Sequence, residues 1–273
     1  MNQHSLSLKL MVLFFVAAVF AVPSAPGVQA SVPGDTRHTV RGVYVYKKDS
    51  APRSEFESSF SRREEGGRVF YDMTEQGKGN YDKYENISWN IQARMEEKEG
   101  LLYLIESRRV IKDEGGKTII EYSKVFDYEK RTVHYRALDG KGKKISEKIF
   151  RLKEQMTDDS TMIYFLTAFI ARRDDKSYRR FYLVTNEPEL YKIDIKIIGV
   201  EEIKLDDGKV ISAVKIRIIP NLGLLTGLSK LIVPPTYLWY RQEPPYQWIK
   251  YEGLETGLGS THIVSYVTQG QLK

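Results

Sequence analysis

The sequence predicts a mainly β protein with one central α-helix: a large curved antiparallel sheet, a half-barrel, wrapping that amphipathic helix. Three observations carry the prediction. Apolar and polar residues alternate with period two along most of the chain, Gly-containing pairs punctuate the alternating runs, and a single stretch near 158–172 changes to a helical period.

The alternation is cleanest from Ile87 to Glu96, where every odd position is apolar and every even one polar. Such a strand sets one face on a core and the other in water. Tyr191, Ile193, Ile195 and Ile197 repeat the pattern, as do Val214, Ile216 and Ile218. Ile120, Tyr122, Phe126 and Tyr128 follow it more loosely, with Lys124 breaking the row. Glu114-Gly115-Gly116, Asp139-Gly140 and Asp207-Gly208 sit between such runs and supply the positive φ of tight hairpins. Strands are expected near 40–48, 67–74, 84–96, 101–112, 117–128, 131–137, 145–153, 179–185, 190–205, 209–219, 236–242, 246–252 and 261–268. The polar segment 49–66 is expected as loop or edge, and Gly77-Lys78-Gly79 as a turn.

Thr157-Asp158-Asp159-Ser160 offers capping oxygens and negative charge at a helix N-terminus. Met162, Phe165, Leu166, Phe169 and Ile170 then form one apolar stripe, and Arg172-Arg173 closes the helix. A sheet with one apolar face and one such helix pack together most economically when the sheet curls around the helix. With no Pro/Ser linker and no fixed repeat, residues 31–273 are expected to form a single domain.

Residues 1–30 are expected to be a cleaved signal peptide. Lys9 precedes an uninterrupted apolar run of 13 residues, Leu10 to Val22, and Val28-Gln29-Ala30 offers small residues for cleavage before Ser31. The run is too short for a bilayer span, which needs about 20 residues. The chain has no cysteine, which excludes disulfides, thiolate metal sites, cysteine nucleophiles and the lipid-bearing cysteine of a lipoprotein. A periplasmic location is the expectation. The 42 basic and 36 acidic residues leave a net +6, but the signs are interspersed, as in Arg62-Arg63-Glu64-Glu65. No nucleic-acid partner is expected from such a mixed surface; mild attraction to anionic headgroups remains open.

No catalytic constellation stands out. The chain has no Gly-x-Ser-x-Gly, no phosphate loop and no His-Glu-x-x-His. His38, His134 and His262 are far apart in sequence, so neither a metal nor any other cofactor is expected. Asp158-Asp159 reads as helix capping rather than an acid/base pair, and Glu201-Glu202 as a solvated strand end. No enzyme is expected.

Two apolar features remain. Tyr237, Trp239, Tyr240, Tyr246, Trp248 and Tyr251 concentrate aromatic rings on two neighbouring strands, as cross-strand packing or as a cavity wall. Alternation places Tyr237 and Trp239 on one face and Leu238 and Tyr240 on the other. Pro220 to Pro235 holds Leu224, Leu225, Leu228, Leu231 and Ile232 with Lys230 as its only charge. It reads as closure over one end of the curled sheet, with a pocket lip or a membrane foot as alternatives.

The features from the helix onward resemble an uncharacterised family of exported bacterial β-rich proteins with the lipoprotein-carrier (LolA/LolB-like) architecture. The matching residues are Asp159-Ser160, Tyr164 and Arg172 of the helix, Ile198-Gly199-Val200-Glu201-Glu202-Ile203, Asp207-Gly208-Lys209, Ile218-Ile219-Pro220 and Tyr237-Leu238-Trp239-Tyr240. The resemblance covers about 155–255. It implies a periplasmic, non-enzymatic protein that holds a hydrophobic ligand, without a membrane tether. The expected function is therefore binding or carriage of a lipid, acyl chain or lipoprotein anchor, with peripheral membrane contact. A structural or interaction module with a filled core is the alternative. The residues expected to line the cavity or its lid are Phe165, Phe169, Leu224, Leu225, Leu228, Trp239 and Trp248. The oligomeric state is left open.

Overall fold

The computed structural model describes residues 37–172, 178–205, 208–221, 234–244, 246–255 and 261–272. The alternating runs form one fifteen-stranded sheet. Nine strands precede the helix, and the first eight form a meander: β1 (Arg37–Tyr46), β2 (Pro52–Glu65), β3 (Arg68–Tyr81), β4 (Tyr84–Lys98), β5 (Leu101–Lys112), β6 (Thr118–Asp127), β7 (Thr132–Asp139) and β8 (Lys144–Arg151). Each pairs antiparallel with the next. A short β9 (Met156–Asp158) leads into α1 (Met162–Arg172). Six strands follow: β10 (Tyr178–Val184), β11 (Leu190–Lys204), β12 (Val210–Pro220), β13 (Thr236–Arg241), β14 (Trp248–Leu254) and β15 (His262–Leu272).

The second meander ends beside the first, with β15 pairing β1. The sheet order is therefore β8 to β1, then β15 to β10, and finally β9, which pairs parallel with β10. The two free ends, β8 and β9, are consecutive in sequence but not paired, so the sheet is an open, strongly curved one rather than a closed barrel. β9 is tucked against the concave face of β5, where Ser107 Oγ donates to Asp158 Oδ2 at 2.6 Å.

Curvature has local causes. Register shifts at Arg41/Gly42, Gly79/Tyr81, Arg94/Met95 and Ile197/Gly199 bend the strands that carry them. At two places an inward aromatic lies across a glycine of the neighbouring strand. A Cβ on Gly77 would sit 2.0 Å from the Trp89 ring, and one on Gly42 would sit 2.4 Å from Phe56. Only a residue without a side chain lets those rings lie on the backbone. Gly77-Lys78-Gly79 is thus the interior of β3, not the expected turn.

The segment 49–66, expected as loop or edge, contains the internal strand β2, paired on both sides. Its inward positions alternate small polar and aromatic residues, Ser54, Phe56, Ser58 and Phe60, because the helix reaches this wall with a tyrosine. Ser58 and Tyr164 share a 2.5 Å hydrogen bond, and Phe60 stacks between Tyr164 at 4.5 Å and Tyr71 at 4.9 Å. Serine in the inward row hid the apolar period.

The main core fills the concave side and draws on both meanders and the helix: Met73, Ile91, Leu104, Val133, Leu166, Phe181, Ile216 and Leu238 are all buried in it. Burial of these side chains, each contributing roughly 1.5–3 kcal/mol, is what holds the sheet around the helix.

Candidate ligand cavity

The helix entrance is built around Asp158. Its Oδ1 accepts from the backbone N–H groups of Ser160 at 3.1 Å and Thr161 at 2.9 Å, and from the Thr161 hydroxyl at 2.7 Å. The Thr161 carbonyl accepts the first helical bonds, from Tyr164 and Phe165, so Asp158 shapes the turn that starts α1. The capping reading of Asp158 therefore describes half of its role. The other half is an ion pair: Lys124, from the inward row of β6, reaches Asp158 Oδ2 at 3.1 Å, Asp159 Oδ1 at 2.6 Å and Asn186 Oδ1 at 2.9 Å. Lys124 is fully buried and does not break its row.

Arg109, the inward neighbour of Ile91 on β5, extends the network. Its guanidinium donates to Tyr81 at 2.5 Å, Asp159 Oδ2 at 3.1 Å and Ser160 Oγ at 3.0 Å. On the opposite wall Arg53 pairs in a fork with Glu255, at 2.8 and 2.6 Å, and Glu255 also accepts the backbone N–H of Asp82 at 2.7 Å. Buried charges persist when each meets a counter-charge with good geometry, as these do.

Burial alone would raise the Asp158 carboxyl, but the Lys124 ammonium and the Ser107 and Thr161 hydroxyls outweigh it and hold the group below its usual range. Burial works to strip Arg109 of its proton, and the neighbouring Tyr81, Asp159, Asp158 and Glu75 overcome it, keeping the guanidinium charged. Glu75 behaves differently. Burial pushes its carboxyl up, and the Trp89 hydrogen bond and the Arg109 charge offset this only in part. Burial also raises Tyr44 and Tyr81, so both hydroxyls stay protonated.

Part of this network borders a cavity of about 190 Å³ between the N-terminal end of α1 and the concave sheet. Its polar lining comprises Glu75, Tyr81, Arg109, Asp159, Ser160 and Glu255. Its apolar lining includes Met162, Ile163, Ile193, Ile218, Trp248 and Ile263. At about 30 Å³ per water, the space holds roughly six waters or a short stretch of hydrocarbon. An apolar wall with a few convergent polar groups is the usual make-up of a small-molecule site. A broader depression of about 860 Å³ crosses the other side of β1–β5. Four of its charged side chains are exposed and matched, Arg41 to Glu57 at 2.6 Å and Lys78 to Glu55 at 2.8 Å, and it holds no buried charge comparable to those at the helix entrance.

The residues expected from sequence to form the site are distributed as follows. Trp248 lines the cavity, its ring 6.0 Å from Phe56. Phe165 and Phe169 are buried further along the helix, packed on each other at 5.1 Å, with Phe165 5.4 Å from Phe181; they belong to filled core rather than to the cavity lining. Trp239 is on the opposite face of the sheet, in a small separate cluster with Ala213 and Ile249. It donates to Glu201 at 2.8 Å and lies beneath the Lys215 and Lys250 ammonium groups. Alternation had put Leu238 and Tyr240 on the other face, and those two are the residues buried in the main core. Leu224, Leu225 and Leu228 lie outside the described residues. Glu75, Arg109 and Lys124 escaped the sequence reading, although each has the inward parity of its strand.

No protein-family model matches the sequence, and no curated protein matches it either. Among solved structures the chain is similar to the β-barrel-like protein of the domain of unknown function DUF1849 from Brucella abortus. The TM-score is 0.50 with 8% identity, over 89% of this chain and 100% of that one. At that identity the likeness is one of fold: a mainly β, barrel-like architecture of unknown function.

Proposed function

We propose that this chain is a non-enzymatic binding or carrier protein of the bacterial cell envelope, exported to the periplasm, that holds a hydrophobic ligand inside its curved sheet. The ligand class is a lipid, an acyl chain or a lipoprotein anchor. The observation that carries the reading is the cavity between the N-terminal end of α1 and the concave face, lined mostly by apolar side chains with a few buried polar and charged groups among them. A LolA/LolB-like carrier would use the same arrangement of helix and curved sheet, and the barrel-like fold is compatible with it. Arg109, Lys124 and Arg53 are engaged in ion pairs, which favours a binding role over a reactive one. Export rests on the apolar run Leu10 to Val22 and the small residues before Ser31. Peripheral contact with a membrane, and no contact with nucleic acid, fit the interspersed charge.

Native mass spectrometry of the gently purified protein tests this, together with titration of the neutral fluorescent probe N-phenyl-1-naphthylamine. The expected result is a co-purified lipid mass and one probe bound per chain. A bare mass together with no probe binding would end the carrier reading.

A second reading, an interaction module, is favoured by one feature. The paired ends of β11 and β12 expose Ile197, Ile198, Val200 and Val210, each at least 40% accessible, on the outside of the molecule.

A further inference from the structure

The charged groups around the cavity balance, with one exception. Arg53, Arg109 and Lys124 are the cations, and Asp158, Asp159 and Glu255 are the anions, three of each. The seventh group is Glu75, on β3, which is 7% exposed and lines the cavity. Its Oε1 accepts the Trp89 indole N–H at 3.0 Å, and among the described residues no cation lies within ion-pair distance of either oxygen. The guanidinium of Arg109 is directed instead at Tyr81, Asp159 and Ser160.

The surroundings of Glu75 are aromatic. Trp89, its hydrogen-bond donor, has Tyr81 at 5.4 Å and Tyr44 at 6.4 Å, and both tyrosines line the cavity, as do Phe56 and Trp248. The other titratable groups packed around it are Arg109 on β5, Asp159 before the helix, Tyr164 on it and Glu255 after β14.

We propose that Glu75 is a ligand-binding residue and that the cavity takes a monocationic amphiphile, an ammonium group on an apolar body, with the ammonium beside Glu75. The inference rests on the reading of the cavity as a ligand site and names the chemistry of its occupant. A carboxylate in a water-poor site is costly without a counter-charge, and one positive charge from a ligand would complete the balance. Ring faces add a second attraction for an ammonium, and the isoleucine wall accepts the alkyl part. An anionic ligand would add a second uncompensated negative charge beside Glu75, and a neutral one would leave the carboxyl as it is. Burial raises this carboxyl in the empty protein, and an ammonium beside it favours the ionised form. Affinity for an alkylammonium therefore rises with pH as the carboxyl ionises, while the ammonium, with an amine-type pKa near 10, stays charged.

The test is competition against bound N-phenyl-1-naphthylamine at pH 7.5 by four eight-carbon compounds: octylamine, octyltrimethylammonium, octanol and octanoate. The purified protein is expected to bind the two cations at least about tenfold more tightly than octanol, and octanoate weakest. Equal binding of the two cations assigns recognition to charge and ring faces; tighter octylamine binding adds an N–H donated to Glu75. Glu75→Gln keeps the acceptor for Trp89 and should lower octylamine affinity about tenfold while leaving octanol unchanged. Octylamine affinity of the native protein should rise from pH 4.5 to pH 7.5, and that of Glu75→Gln should not. Octanol or octanoate binding as tightly as octylamine, or a Gln variant that binds octylamine like the native protein, would overturn the role of Glu75 while leaving the cavity a ligand site. If neither the probe nor any of the four compounds binds, the ligand site itself is refuted.

Discussion

The two ends of the helix occupy the same concave space and are finished in opposite ways. From Phe165 onward the stripe Phe165, Leu166, Phe169 and Ile170 is buried against Phe181 and the sheet with no polar group among these side chains. At the entrance, Asp158 and Asp159 meet Lys124 and Arg109, and beside them a cavity remains. The first end stabilises by close packing, which any well-shaped set of apolar side chains supplies. The second retains desolvated charges that a purely structural core would do better without. That contrast is why the proposed ligand site is placed at the entrance of the helix and not along its stripe.

The largest effect is expected at the polar end. Lys124→Met leaves two buried carboxylates without their main counter-charge and should destabilise the protein by about 4 kcal/mol in urea denaturation at pH 7. The loss should narrow under acid. Asp158 titrates below its unfolded value of about 3.9, so its contribution is complete above that pH and disappears as pH falls through the folded value. Native and variant stabilities should therefore converge as pH falls below that unfolded value. A gap that stays constant with pH would mean that Lys124 acts through packing.

At the apolar end, Phe165→Ala should cost about 3 kcal/mol through the cavity it opens, with no such pH dependence. If the difference between this variant and the native protein narrowed under acid as that of Lys124→Met should, the two ends would not be separable.

Glu75→Gln is expected to have a smaller effect of opposite sign. The native carboxyl is held above its unfolded value, so the folded state keeps its proton longer and stability falls as pH rises from about 4.3 through the folded value. The Gln variant should match the native protein at pH 4 and exceed it by about 1 kcal/mol at pH 8, by removing that desolvation cost. Equal pH profiles would show that Glu75 is well compensated when empty.

The smallest effect belongs to the outer face. Trp239→Phe removes the hydrogen bond to Glu201 and should cost about 0.5 kcal/mol in thermal unfolding, with probe binding unchanged. A loss of binding would bring the outer cluster into the site.

How much of this was legible in the sequence follows from the range of each interaction. The helix and the alternation from Ile87 to Glu96 are local patterns, and they appear as α1 and β4. Strand β2 was hidden because serines occupy inward positions that Tyr164, far along the chain, makes favourable. Gly77 looked like a turn because its reason, the Trp89 ring, belongs to another strand. Lys124 looked like a fault in its strand because its partners are 34 and 35 residues away. Arg109 and Glu75 share the inward parity of Ile111 and Met73, so a charge at an inward position was the available signal. Trp239 was misplaced in the site although its parity to Leu238 already separated it from the core.

Titration of N-phenyl-1-naphthylamine into the native protein, Ile218→Phe and Phe169→Leu compares the two ends directly. Ile218→Phe fills part of the cavity, whereas Phe169→Leu alters the packed stripe. The native protein and Phe169→Leu should bind the probe alike, and Ile218→Phe should bind it at least about tenfold more weakly. Equal binding by all three, or loss confined to Phe169→Leu, would contradict a ligand site at the helix entrance.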